Sequence, residues 1–126
     1  MQKQGNKKIL AVLSDLFFSV KINDAAKRAG MIVEFVKDPH EVLAKARAKP
    51  SLIIFDLNFE SVNPLELIGT LKSTAEFKDI SVIGYLSHVQ GELKQKAHET
   101  GCDMVLARSA FSQNLPQILK RHSGVM

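Results

Sequence analysis

Asp56 closes the most continuously apolar stretch of the 126-residue chain, Ser51-Leu52-Ile53-Ile54-Phe55-Asp56, and Ser14-Asp15 follows another, Lys8-Ile9-Leu10-Ala11-Val12-Leu13. A carboxylate at the end of a buried strand either caps the following loop or belongs to a site at the strand ends. Two such ends side by side favour the site. Asp15 keeps both readings, because Asp is among the preferred helix N-cap residues and a helical pattern starts at Leu16. Other chemistries lack their partners. Nucleophilic catalysis needs a Ser or Cys with a histidine base and an orienting acid, and no strand end supplies that set. A nucleotide-binding turn needs glycines after the first strand, and Leu13-Ser14-Asp15-Leu16 has none. His40, His88, His98 and His122 share no metal-ligand spacing and are expected at the surface. The single Cys102 allows neither an intramolecular disulfide nor a Cys/His metal cluster, and a buried, inert thiol is expected.

The elements that must position these acids follow in regular alternation. Strands are predicted over Lys8–Leu13, Met31–Val36, Ser51–Asp56, Ile80–Tyr85 and Cys102–Leu106. The first helix carries Phe18, Ile22, Ala26 and Ala29 at helical spacing, with Gly30 placed for a left-handed C-cap. Asp38-Pro39-His40-Glu41 gives an N-cap, a proline at the first helical position and an acid in the first turn; that helix runs to about Ala48, before Pro50. Asn63-Pro64-Leu65-Glu66 repeats the arrangement, and Leu67, Ile68 and Leu71 face inward. Leu93 and Ala97 mark a helix ending at Thr100-Gly101; Phe111, Leu115 and Leu119 mark the last one, in which Pro116 is tolerable only near the first turn. Five strand-and-helix pairs with short connections predict an α/β, doubly wound parallel sheet with helices on both faces. In such sheets the functional crevice opens at the carboxyl ends of the strands, where strand order reverses. Ser14-Asp15 and Asp56 fall there.

Composition sets the limits. Residues 1–126 fit one domain, with residues 1–7 as a flexible basic tail. Hydrophobic residues make up 45% and no apolar run approaches the ~20 residues of a membrane span, so a soluble, cytoplasmic protein without a membrane partner is expected. The net charge of +4 comes from scattered lysines; Lys120, Arg121 and His122 end the last helix, where cations suit the dipole. No specific nucleic-acid partner is expected.

The order of elements, together with Asp56-Leu57-Asn58 and the helix start Asn63-Pro64-Leu65-Glu66-Leu67-Ile68, resembles the receiver domain of two-component response regulators from Lys8 to His122. The resemblance implies a flavodoxin-like (CheY-like) sheet of order 2-1-3-4-5. It also implies that Asp56 is the phosphoacceptor position, and that Asp15, Asp56 and the Asn58 carbonyl are the Mg²⁺ ligands. Five departures stand out. Ser14 replaces one of the family's two adjacent acids. Counting back from Gly101, the switch hydroxyl falls on Leu86, and a one-residue shift gives Ser87. Arg108 stands at the lysine position, followed by Ser109 instead of proline, and Val105 at the aromatic switch. Arginine keeps the charge but not the reach of lysine; Arg108 is also a candidate ion-pair partner for Asp56 or Asp15. Such a chain resembles a degenerate or pseudo-receiver.

The leading expectation is therefore a signalling module in phosphorelay signal transduction that is not an enzyme. It acts by protein–protein contact, with phosphorylation at Asp56 and Mg²⁺ binding weak or absent. Its partner would be a histidine kinase, a downstream effector or a second copy, docked on the fourth helix, fifth strand and fifth helix through His88, Gln90, Lys94, Met104, Leu106, Arg108 and Phe111. The alternative keeps Mg²⁺-dependent phosphorylation of Asp56 by a histidine kinase, with Ser87 and Arg108 as the switch pair; a third reading is nonspecific nucleic-acid binding. Phe17, beside the core residue Phe18, is the candidate for partial exposure near the crevice.

Overall fold

The structure is a computed structural model describing residues 7–87 and 91–123. His88 and Gln90 of the expected partner face, and residues 1–6 of the expected tail, lie outside the described residues. Strands β1 (Lys8–Val12), β2 (Ile32–Val36), β3 (Leu52–Asp56), β4 (Ser81–Leu86) and β5 (Met104–Ala107) alternate with helices α1 (Leu16–Arg28), α2 (Pro39–Ala46), α3 (Pro64–Ser73), α4 (Gly91–Thr100) and α5 (Arg108–His122). All pairings are parallel, as expected from the sequence, and the sheet order is β2-β1-β3-β4-β5, the order that the resemblance implied. The order reverses between β1 and β3, and Asp15 and Asp56 stand at the ends of those two strands.

Because successive strand side chains point to opposite faces, the apolar runs divide into two cores. Leu10, Val12, Ile53, Phe55, Val82, Leu86 and Val105 lie under α2, α3 and α4. Ile9, Ala11, Leu52, Ile54, Ile83 and Tyr85 lie under α1 and α5, with Phe18, Ile22, Phe111 and Leu115. β3 is buried on both sides, which is why its sequence reads as a continuous apolar run rather than an alternating one. On the edge strand β2, Glu34 takes salt bridges from Lys8 and Lys45, and these hold its carboxyl below the usual range. Charge on an edge also discourages pairing with another chain.

Local signals are realised unevenly. Asp38 Oδ1 accepts from His40 N–H at 2.8 Å, and Gly30 takes a positive φ of 73° after α1. Asn63, by contrast, does not cap α3 with its side chain: it is left-handed (φ 52°) and its amide donates instead to Glu66 at 2.9 Å. Pro116 is not near the first turn. It is the ninth residue of α5, exposed on the outer side, where a missing N–H leaves the buried face made by Phe111, Leu115, Ile118 and Leu119 intact. The sequence reading also passed over the short 3₁₀ turn Glu60–Val62 and the buried Phe77 in the α3–β4 connection. Gly84, in mid-strand, is needed for a close approach: a Cβ there would stand 2.9 Å from three carbons of Leu57, the residue following Asp56. Cys102 is buried as expected, its thiol pushed up to about 11 by burial.

Candidate functional site

Three loops meet at the carboxyl ends of the strands. Asp15, between β1 and α1, is held by both oxygens. Its Oδ1 accepts from Phe17 N–H at 2.9 Å and Phe18 N–H at 3.4 Å, so it is the N-cap of α1. Its Oδ2 takes a charge-assisted hydrogen bond from the Arg108 guanidinium, at the first residue of α5. Arg108 also lies over the Phe18 ring, 4.7 Å from its centroid. Both sequence readings of Asp15 as a structural group are thus realised, and Arg108 pairs with Asp15 rather than with Asp56.

Asp56 ends β3, half-buried, and its Oδ1 accepts from Asn58 N–H at 2.9 Å. Burial raises its carboxyl above the ordinary value; the Asn58 N–H and the Arg108 charge work against that rise, and the Asp15 charge adds to it. The folded form then binds a proton at Asp56 more tightly than the unfolded chain does. Stability is lost as pH rises from the ordinary value of 3.8 through the raised folded value. Asp56→Asn keeps the oxygen that receives Asn58 N–H and removes the buried charge. It is expected to raise the thermal midpoint at pH 7 by a few degrees, with the gain gone at about pH 3, where both chains are neutral at this position. Melting curves at the two pH values check this; an Asn variant no more stable at pH 7 refutes it.

Asn58 ties the second loop to the third. Its Oδ1 accepts both Ser87 N–H (2.7 Å) and Ser87 Oγ–H (2.9 Å), and its carbonyl accepts Glu60 N–H at 3.0 Å. Of the two positions offered by the sequence, Leu86 is buried in the core, whereas Ser87 is exposed at the end of β4. Sequence reasoning had no means of finding the Asn58–Ser87 link, since the two residues lie 29 positions apart. It also missed Tyr85, the neighbour of Asp56 across the β3–β4 pair. Tyr85 stacks on Phe111 (4.8 Å between centroids) and packs on Phe18 (5.0 Å), and its fully buried hydroxyl has no hydrogen-bond partner among the described residues. Burial, with Asp56 and Asp15 nearby, raises that hydroxyl far above the usual phenol range. Val105 is aliphatic core on the opposite face of the sheet.

The donor set does not suit a magnesium ion as it stands. Mg²⁺ prefers an open octahedron of oxygens that includes one or two carboxylates. Here Asp15 has a guanidinium on one oxygen and two N–H groups on the other. No group of three His, Cys, Asp or Glu side chains is placed to hold a metal among the described residues. Of the expected partner face, Lys94 is exposed and Met104, Leu106 and Arg108 are half-buried. Phe111 is not a contact residue: it is fully buried between Tyr85 and Phe18. His40 and His98 are exposed, and His122, half-buried, meets the Ile118 carbonyl at 2.9 Å.

A five-stranded 2-1-3-4-5 sheet with an acid at the end of β3 and a cation at the start of α5 defines the fold of response-regulator receiver domains. Known structures agree. The chain is similar to the chemotaxis response regulator CheY4 of Vibrio cholerae, with 25% identity over 92% of this chain and 98% of that one, at a TM-score of 0.78. A response regulator from Hahella chejuensis superposes more closely, at a TM-score of 0.83 over 94% and 96% of the two chains, with 18% identity. The phosphorylated cyanobacterial phytochrome response regulator RcpA matches at 24% identity and a TM-score of 0.73, over 91% of this chain and 89% of that one. No protein-family model matches the sequence, and no curated protein matches it. Among the described residues no helix is long and apolar enough to cross a membrane.

Proposed function

We propose that this chain is a receiver-type module of phosphorelay signalling that works by protein–protein contact, with phosphorylation at Asp56 weak or absent. One observation carries the reading: Arg108, at the position of the family's lysine, is engaged with Asp15, whose other oxygen caps α1. Phosphoryl transfer rests on positioned charge around the transferring group. In this arrangement the cation and the neighbouring acid neutralise each other, and among the described residues Asp56 is in no ion pair.

The second reading, a working Mg²⁺-dependent phosphoacceptor, is supported by the retained Asp56 and by the Ser87 hydroxyl at the crevice mouth. Intact-mass measurement after incubation with Mg²⁺ and acetyl phosphate separates the two, with Asp56→Asn as control. No phosphate adduct on the unchanged chain, and no amide shifts at Asp56 or Asn58 on adding Mg²⁺, is the expected result. A stoichiometric adduct that the Asn variant lacks would replace the first reading by the second.

A further inference from the structure

Away from the crevice, α1 and α5 run side by side and leave between them a concavity of about 550 Å³. Its floor is apolar, made by Ala25 of α1, by Ala29 at its C-cap and by Leu115 and Pro116 of α5. Three cations, Lys21, Arg28 and Lys120, stand around it against one acid, Asp24, and among the described residues none of the three cations is in an ion pair. Phe17 prolongs the α1 side upward, one helical turn before Lys21; it is 66% exposed, with the Lys21 ammonium 5.9 Å from its ring centroid. Pro116 offers no N–H to the Ser112 carbonyl on the same wall.

We propose that this groove is a docking site for an acidic, amphipathic helix of a partner protein. The groove opens on the α1 side of α5, away from α4 and β5, and the proposal does not depend on whether Asp56 is phosphorylated. Small alanines let a third helix approach closely, as the seat between two neighbouring helices requires. From Phe17 to Arg28 the groove extends ~16 Å, about three helical turns. The sign of the charge selects the partner: an acidic helix meets three cations that are in no ion pair among the described residues while its apolar side covers Ala25, Pro116 and the Phe17 ring, whereas a basic helix would be repelled. A nucleic-acid backbone would use the cations but leave the apolar floor uncovered, so the helix accounts for more of the surface.

The test uses the whole 126-residue chain and a labelled helical peptide of about 14 residues, roughly 20 Å long, with Leu and Phe on one face and Glu on the other. Fluorescence anisotropy and amide shift mapping are expected to show saturable binding, with the largest shifts at Ala25, Arg28, Ser112 and Leu115. Arg28→Glu combined with Lys120→Glu should weaken binding about tenfold or more. Both residues are exposed, so folding should survive; Arg28→Gln with Lys120→Gln repeats the test with a smaller loss if the reversal does not fold. The proposal is overturned if the shifts centre elsewhere or are absent. It is equally overturned if the charge variants bind unchanged, if oligoglutamate without apolar residues binds as well, or if a DNA oligonucleotide takes the groove in preference to the peptide.

Discussion

Replacing two residues, Ser14→Asp and Arg108→Lys, is expected to make the chain take up a phosphoryl group from acetyl phosphate at least roughly 10²-fold faster than the unchanged chain, the scale on which single electrostatic contacts act in such sites. The expectation follows from which groups are occupied. Asp15 has no oxygen open for a metal because the Arg108 fork reaches it across the crevice. Lysine has one ammonium on a flexible stem and cannot reproduce the planar fork or the stacking on Phe18. It would leave Asp15 more easily and turn to the charge that builds up at Asp56. Ser14 is exposed at the end of β1, so an acid there adds a hard oxygen ligand to the crevice without disturbing the core. Two carboxylates and Asp56 then make a set that suits Mg²⁺. Magnesium titration followed at the Asp56 and Asn58 amides, together with intact mass, gives the readout, and Asp56→Asn in the same background must abolish the adduct. An inert double variant would mean that the loop joined by Asn58 and Ser87, rather than the missing residues, closes the site.

The fold was legible because its signals are local and repeat five times: apolar runs of strand length, turns, and helices with inward stripes. Phe18, Ile22 and Ala26 are buried where their spacing puts them, and the Asp38 cap forms as its sequence suggests. Where the reading failed, a tertiary contact or an unseen direction decided. Asn63 has the composition of a cap, but the 3₁₀ turn before it delivers the chain left-handed, and its amide finds Glu66 instead. Pro116 is compatible with mid-helix because it sits on the solvent side, which depends on how α5 docks. Phe111 carried two readings at once, core stripe and partner face, and only the packing against Tyr85 separates them. The sequence singled out Asp15, Asp56, Asn58, Ser87 and Arg108, and the structure brings them together at the strand ends. The choice that matters, Arg108 on Asp15 rather than on Asp56, joins residues 93 positions apart and has no sequence signal.

Phe111→Ala is expected to remove about 3–5 kcal/mol of stability, the range for deleting a fully buried phenylalanine side chain, from a total of about 5–15 kcal/mol for an ordinary domain. Phe111 is at the centre of an aromatic cluster, 4.8 Å from Tyr85 and 6.0 Å from Phe18, and no part of it is exposed. Its ring fills the space between β4 and the first turns of α1 and α5, and backbone movement cannot refill that space without separating the helices. The loss should therefore appear in urea as a lower midpoint with an unchanged slope. Phe111→Leu, which keeps most of the volume, should lose far less. The same cavity reaches the site. Phe111 is three residues after Arg108, on the same side of α5, and Phe18, its stacking partner, is the ring on which Arg108 rests. Loosening the cluster should free the guanidinium, so the Arg108 side-chain NMR signals should move toward those of a solvated arginine under conditions where the variant is still folded. A loss below about 1 kcal/mol, or an Arg108 signal that stays put in the folded variant, would show that the core and the Arg108–Asp15 contact are held independently.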